Sequence, residues 1–291
     1  MKTLDILLFL ILISFSTYGQ SQEVANYKDV KRHGVLESYY PNGQSQEVAN
    51  YKDGKRHGKQ TSYYIEGQIS LEANYKDGKR HGVLESYYPN GQSQEVANYK
   101  DGKRHGKQTS YYIEGQISLE ANFKDGKEHF GQIRYYKSGQ PQLVEYFING
   151  KKHGKQTSYF RPDQISLEAN YIDGKRQGKQ LIYNENGFKT LESIFKDDKA
   201  HGVWIYFYES GKIMQKVSFS EGNRKGFFIN FDKNGYKLFS GYMDNNKRNG
   251  LFNWYHNNNQ KWVEVYYNND KVGERTEWDK NGKIISRCWI C

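Results

Sequence analysis

A chain of 291 residues with only 36% hydrophobic side chains, yet 16% aromatic ones and 26 tyrosines, lacks the Leu, Ile and Val of a deep globular core. Tyrosine tolerates one wet end, so this composition suits a thin, half-exposed sheet. A net charge of +10 and a pI near 9.2 suit acidic or anionic partners. Helical apolar spacing is absent beyond the first twenty residues, and the expected class is all-β.

The chain opens with "MKTLDILLFLILISFSTYGQ", which reads as an export signal. Lys2 gives a positive start, Ile6 to Ile13 an apolar run, and Thr17-Tyr18-Gly19 the cleavage region. The run is about ten residues, where a membrane span needs roughly twenty. Cleavage is expected after Gly19, with residues 1–19 as signal peptide and the mature protein in the periplasm, on the outer surface or outside the cell. An uncleaved anchor is the alternative. No Cys follows the apolar run, which argues against a lipoprotein.

From residue 20 the chain repeats. Asp29, Asp53, Asp77, Asp101, Asp125, Asn149, Asp173, Asp197, Glu221 and Asn245 stand 24 residues apart, and a degenerate eleventh copy follows near Asn269. A second column holds Gly34, Gly58, Gly82, Gly106, Gly154, Gly178, Gly202, Gly226 and Gly250, broken only by Phe130. The expected array covers residues 20–283, with residues 284–291 as a tail carrying Cys-x-x-Cys.

Each unit carries two strand-like halves. "KQTSYY" or "VLESYY" leads to a turn such as Pro41-Asn42-Gly43, then to an alternating run such as Leu71-Glu72-Ala73-Asn74-Tyr75-Lys76. Asp77-Gly78 starts the return, because Gly supplies the positive φ of a tight turn. The unit is therefore a β-hairpin in an antiparallel meander. Tyr39, Tyr63, Tyr87, Tyr111, Tyr135, Tyr159, Tyr183, Phe207, Phe231, Tyr255 and Trp278 form one aromatic column. Tyr27, Tyr51, Tyr75, Tyr99, Phe123, Phe147, Tyr171, Phe195, Phe219, Met243 and Tyr267 form a second, apolar column. Such ladders contribute on the order of 0.2–1 kcal/mol per cross-strand pair, so no hairpin stands alone.

Gly-Lys-Arg-His-Gly, then Tyr-Tyr, then Asn-Gly at this spacing resembles the MORN repeat, in the bacterial variant of YwqK-type "antitoxin" proteins. The resemblance covers roughly residues 20 to 283 and implies an elongated, twisted antiparallel sheet of stacked hairpins. It implies binding roles: scaffold, dimerisation module or lipid-binding surface. An export signal departs from a cytosolic antitoxin.

His33, His57, His81, His105, His129, His153 and His201 share a column. Equivalent residues two strands apart stand about 9.6 Å from each other. Zinc–nitrogen bonds are about 2.0–2.1 Å, so neighbouring histidines cannot share one ion, and they are expected to pack turn on turn. No metal or other cofactor is expected. Lys55, Arg56, Lys79, Arg80, Lys103 and Arg104 are expected along one edge of the sheet as a basic ridge, partly neutralised by turn acids. Such a ridge either attracts anions or keeps sheet edges apart. Catalysis needs an asymmetric constellation, whereas nearly every polar group here is repeated, and no enzyme is expected.

Some features stand outside the repeat. Phe130 replaces the motif Gly, and Pro162-Asp163 replaces the Asn-Gly turn. Asn184, Asp232 and His256 replace the second tyrosine, while Trp204, Trp254 and Trp262 enter; a specific partner surface is expected in this divergent half. Cys288 and Cys291 are the only cysteines, and a small disulfide between them is expected, with half a zinc site or a bond to another chain as alternatives. The expected function is an exported scaffold that binds a protein partner through the aromatic face Tyr63, Tyr87, Tyr111, Tyr135, Tyr159, Tyr183, Phe207, Phe231 and Tyr255, beside the basic edge. Binding of anionic lipid or glycan is the alternative, neutralisation of a protein toxin a further one, and nucleic acid is disfavoured for an exported chain.

Overall fold

The computed structural model describes residues 22–289; the expected signal peptide, its cleavage site and Cys291 lie outside them. The described residues form β-strands joined by tight turns, and no helix occurs among them. They fall into two compact units. One runs to Pro141 and includes Phe147–Gly150; the other takes Gln142–Tyr146 and everything from Lys151.

In the first unit, Gln22–Lys28, Lys31–Tyr39, Ser45–Lys52, Lys55–Tyr63, Ile69–Lys76, Lys79–Tyr87, Ser93–Lys100, Lys103–Tyr111 and Ile117–Lys124 pair antiparallel in chain order. This is the hairpin meander the repeat predicts. The Asp-Gly turns hold two successive positive φ angles, 50° at Asp53 and 80° at Gly54 for example, the signature of the turn whose twist matches antiparallel strands.

The second motif glycine has a different task. Ala49 faces Gln60 and Tyr51 faces Arg56, so three residues of one strand stand against one of the other. This bulge is possible because Gly58 takes φ 95°. Asn50 Nδ2 donates to the Lys59 carbonyl at 2.8 Å and closes the bulge; Asn98 does the same to Lys107 at 2.9 Å. Phe130 keeps the glycine's backbone, with φ 70°.

The core of this unit is one row of side chains across the sheet. Leu36, Ala49, Gln60, Ala73, Leu84, Ala97, Gln108 and Ala121 are cross-strand partners in that order, and all are buried. Short alanines alternate with long Leu or Gln, so neighbours interdigitate. The buried Gln60 amide accepts from Arg56 at 2.9 Å and donates to Ser62 at 3.1 Å.

In the second unit the same meander runs from Gly154–Arg161 and Gln164–Ile172 to Lys261–Asn268, Lys271–Trp278 and Ile284–Trp289. Its core row turns aromatic: Phe252, Val263, Val265 and Tyr267 form a buried cluster, packed by Phe228, Met243 and Trp254. The sequence reading ends the array at residue 283, but Ile284–Trp289 is a strand paired to Lys271–Trp278. The tight turn at Asp279–Gly282 turns the chain back, so the segment completes the last hairpin.

Candidate binding surfaces

Adjacent strand residues point to opposite faces, so Gln60 and Thr61 define two different surfaces. The aromatic column beginning at Tyr63 lies on the Thr61 face. Thr109 pairs with Glu120, and the Glu120 carboxylate accepts from Tyr135 at 2.8 Å and from Lys107 at 2.6 Å. Tyr183 and Lys155 converge likewise on Glu168, at 3.4 and 2.5 Å. Farther along, Lys189 lies over the Phe207 ring and Lys237 over Tyr255. Tyr63, Tyr87, Tyr111, Tyr135, Tyr159, Tyr183, Phe207, Phe231 and Tyr255 are each half-buried. Burial, reinforced by the bonds to Glu85 and Glu120, pushes the Tyr87 and Tyr135 phenols up to about 12.

The second column occupies the opposite face, with the core row. Arg56 lies 5.5 Å over the Tyr75 ring, and Arg32, Arg80 and Arg104 lie over Tyr51, Tyr99 and Phe123 in turn. Arg56 also donates to Glu47 at 2.6 Å, and Arg104 to Glu95 at 2.7 Å. The arginines of the expected basic ridge are therefore folded onto this face. A guanidinium spreads flat over an aromatic ring while its edges keep their hydrogen bonds, which an ammonium cannot reproduce. Lys55, Lys79 and Lys103 do remain exposed at the turns. Their stems lie beside the next turn's glycine: a Cβ at Gly78 would stand 3.8 Å from Lys55 Cβ.

The turns bond to one another. Gly78 N–H donates to the Arg56 carbonyl at 2.8 Å, and Gly102 N–H to Arg80 at 2.8 Å. His57 Nδ1 sits 3.4 Å from Asp77 Oδ1, and the same approach recurs at His33–Asp53, His81–Asp101, His105–Asp125 and His153–Asp173. Each histidine thus meets the next repeat's turn acid. At the other edge the second tyrosine does the stapling: Tyr40, Tyr64, Tyr88, Tyr112 and Tyr208 hydroxyls donate to the carbonyls of Tyr63, Tyr87, Tyr111, Tyr135 and Phe231, at 2.6–2.8 Å. Asn184 and Asp232 instead accept amides of their own turns.

The second unit carries a hollow of about 360 Å³, lined by Gln215, Val217, Arg224, Phe228, Phe239, Met243, Asn246, Arg248, Phe252 and Asp270. Gly241 makes it. It pairs with Phe228 in the core row, and Phe252 leans across it, so an added Cβ would meet the Phe252 ring at 2.6 Å. No sequence column marks Gly241 as special except its own loss of a side chain where Ala or Val usually stands. Beside the hollow, Trp204 packs between Phe195 and Phe219, at 5.2 and 4.7 Å. Cys288 is exposed on the last strand. No group of three metal-ligating side chains occurs among the described residues.

A family model matches the sequence at six of the repeats. The model of the MORN repeat variant matches residues 32–53, 56–77, 80–101, 104–125, 200–221 and 271–288. The chain carries MORN-variant repeats. The first matched MORN unit starts at Arg32, which lies over the Tyr51 ring, and ends at Asp53, the turn acid facing His33. Between the matched spans the same hairpins and inter-turn bonds continue. No curated protein matches the chain. Among solved structures, a crystal structure of TcdB2-TccC3 without its hypervariable C-terminal region is similar at 11% identity and a TM-score of 0.19, covering 92% of this chain and 18% of that one. The chain spans less than a fifth of that relative, and at this TM-score the likeness implies nothing about fold or function.

Proposed function

We propose that the MORN-variant array is an exported, non-catalytic scaffold that holds a protein partner across a sheet face. The observation behind this reading is the division of labour among its side chains. Arginines, turn amides and second tyrosines are spent on joining repeat to repeat, whereas the nine aromatic residues from Tyr63 to Tyr255 stay half-buried on the sheet face of their own unit. Rigid aromatic surface of this kind binds at low entropic cost. The lysine edge supports the alternative, an anionic lipid or glycan, but the turn acids beside it dilute its charge: Asp53 and Asp77 side chains are each 69% exposed.

The test is crosslinking and mass spectrometry on the native exported protein, followed by a salt series on whatever is captured. Retention of a protein at 1 M salt, lost on replacing Tyr111 and Tyr159 by Ala, is the expected result. Loss of all binding above about 0.3 M salt, with retention on anionic vesicles at low salt, would replace the reading with its electrostatic alternative. Capture of one toxic protein would single out the neutralising role.

A further inference from the structure

Two arginines of the core-face ladder have no acid among the described residues: Arg80, which still lies over Tyr99 and donates to the Tyr75 hydroxyl, and Arg224. Arg32, Arg56 and Arg104 pair with Glu23, Glu47 and Glu95, nine residues earlier. Arg176 and Arg248 draw their carboxylate from the other side: Asp198 and Asp270, 22 residues later, each accept from the arginine Nε at 3.1 Å. Each of these five also lies over an aromatic ring.

Arg224 has none of these partners. The residue nine earlier is Gln215, and the residue 22 later is Asn246. The ring position 19 residues on is Met243. The backbone still follows the pattern, since Arg224 N–H donates to Asn246 Oδ1 at 2.8 Å, as Arg248 N–H does to Asp270. Gln215 is turned to Asn230, 2.7 Å away. Both carboxylates have become amides of nearly the same shape, and among the described residues the Arg224 guanidinium makes no ion pair or side-chain hydrogen bond.

This open cation stands on the rim of the hollow floored by Phe228 and Phe252. The volume, about 360 Å³, is at the low end of ligand sites, roughly 300–1,000 Å³, and one side opens to solvent. We propose that the hollow receives a segment of the protein partner in which an aromatic side chain is followed by a carboxylate. The ring packs into the hollow against Phe228, Phe239 and Phe252, and the carboxylate pairs with the Arg224 guanidinium at its rim. An open hollow on a sheet face accepts a side chain presented by a surface, and a guanidinium with no internal acid prefers a carboxylate to an amide. The inference rests on the array being a binding scaffold, but it concerns the face opposite the Tyr63 column.

The test uses the full chain labelled at the methionine methyls. Met243 lines the hollow, and Met214, on the opposite face beside Gln215, serves as the internal control. The probes are the peptide acetyl-Ser-Trp-Asp-Gly-amide and its Asn counterpart. The Asp peptide is expected to shift the Met243 methyl and leave Met214 in place, with the Asn peptide binding about tenfold more weakly. Asn246→Asp restores the internal carboxylate and is expected to remove the preference while the protein stays folded; Arg224→Gln is expected to do the same. Equal binding of the two peptides, no Met243 shift with either, or an unchanged preference in Asn246→Asp would overturn the proposal. None of these results touches partner capture by the Tyr63 column, which the salt series reads separately.

Discussion

The Tyr64 hydroxyl donates to the Tyr87 carbonyl at 2.6 Å, one repeat further along the chain. Tyr63, its neighbour in sequence, points to the aromatic face and makes no hydroxyl bond to protein among the described residues. One dipeptide thus splits into a staple and a surface. Tyr64→Phe is expected to cost about 1 kcal/mol, the usual net worth of a hydrogen bond, with an unpaired carbonyl left behind. Tyr63→Phe should fall within about 0.5 kcal/mol of wild type. Urea denaturation of the two variants decides this; equal losses would contradict the division.

Two positions hold a left-handed backbone with a side chain unsuited to it. Val30 has φ 63° and is 95% exposed, where most repeats place Gly. Phe130 has φ 70° and is 68% exposed, touching His129 edge-on at 4.3 Å. A non-glycine residue there costs about 1–2 kcal/mol, and glycine's extra freedom in the unfolded chain returns about 0.5–1 of it. Val30→Gly and Phe130→Gly are each expected to stabilise the protein by up to about 1 kcal/mol. A lower denaturation midpoint in both would refute the strain.

Gly241 is constrained by space instead. Its added Cβ would lie 2.6 Å from Phe252 Cδ1 in a buried row. Gly241→Ala should therefore destabilise by about 1–3 kcal/mol, the usual cost of overpacking. Adding Phe252→Leu should recover part of the loss. Wild-type stability in Gly241→Ala would show that the ring can move aside.

The hairpins, the Asp-Gly turns and the alternation of the core row were legible because each recurs every 24 residues with the same chemistry. The bulge was not, although its two signals, Gly58 and Asn50, stand in plain columns; a bulge changes pairing without changing the alternation that reveals strands. Two aromatic columns also look alike in sequence, and only the inserted residues decide which face each ring takes. Arg56 reads as a basic edge because its ring and acid, Tyr75 and Glu47, come from neighbouring strands. Gly241 and Arg224 were harder still, since both act through groups that are missing.

Alkaline pH offers a separate check. Tyr87 and Tyr135 titrate near 12 in the folded chain and near 10 when unfolded. Between those values the folded form holds protons that the unfolded form releases, so their contribution is complete below about pH 10 and fades as pH rises toward 12. The double variant Tyr87→Phe, Tyr135→Phe should lose stability less steeply over pH 9.5–11. Parallel curves for the variant and wild type would contradict the assignment.

Successive hairpins are bonded turn to turn as well as strand to strand. Hydrogen exchange at the Gly54, Gly78, Gly102 and Gly126 amides tests it most directly. In an isolated two-residue turn the amide of the second residue faces water, but here each donates to the preceding repeat's arginine carbonyl, at 2.8–2.9 Å. Protection close to that of the strand amides is the predicted result. Exchange at the rate of an open turn would mean that the repeats are joined by their strands alone.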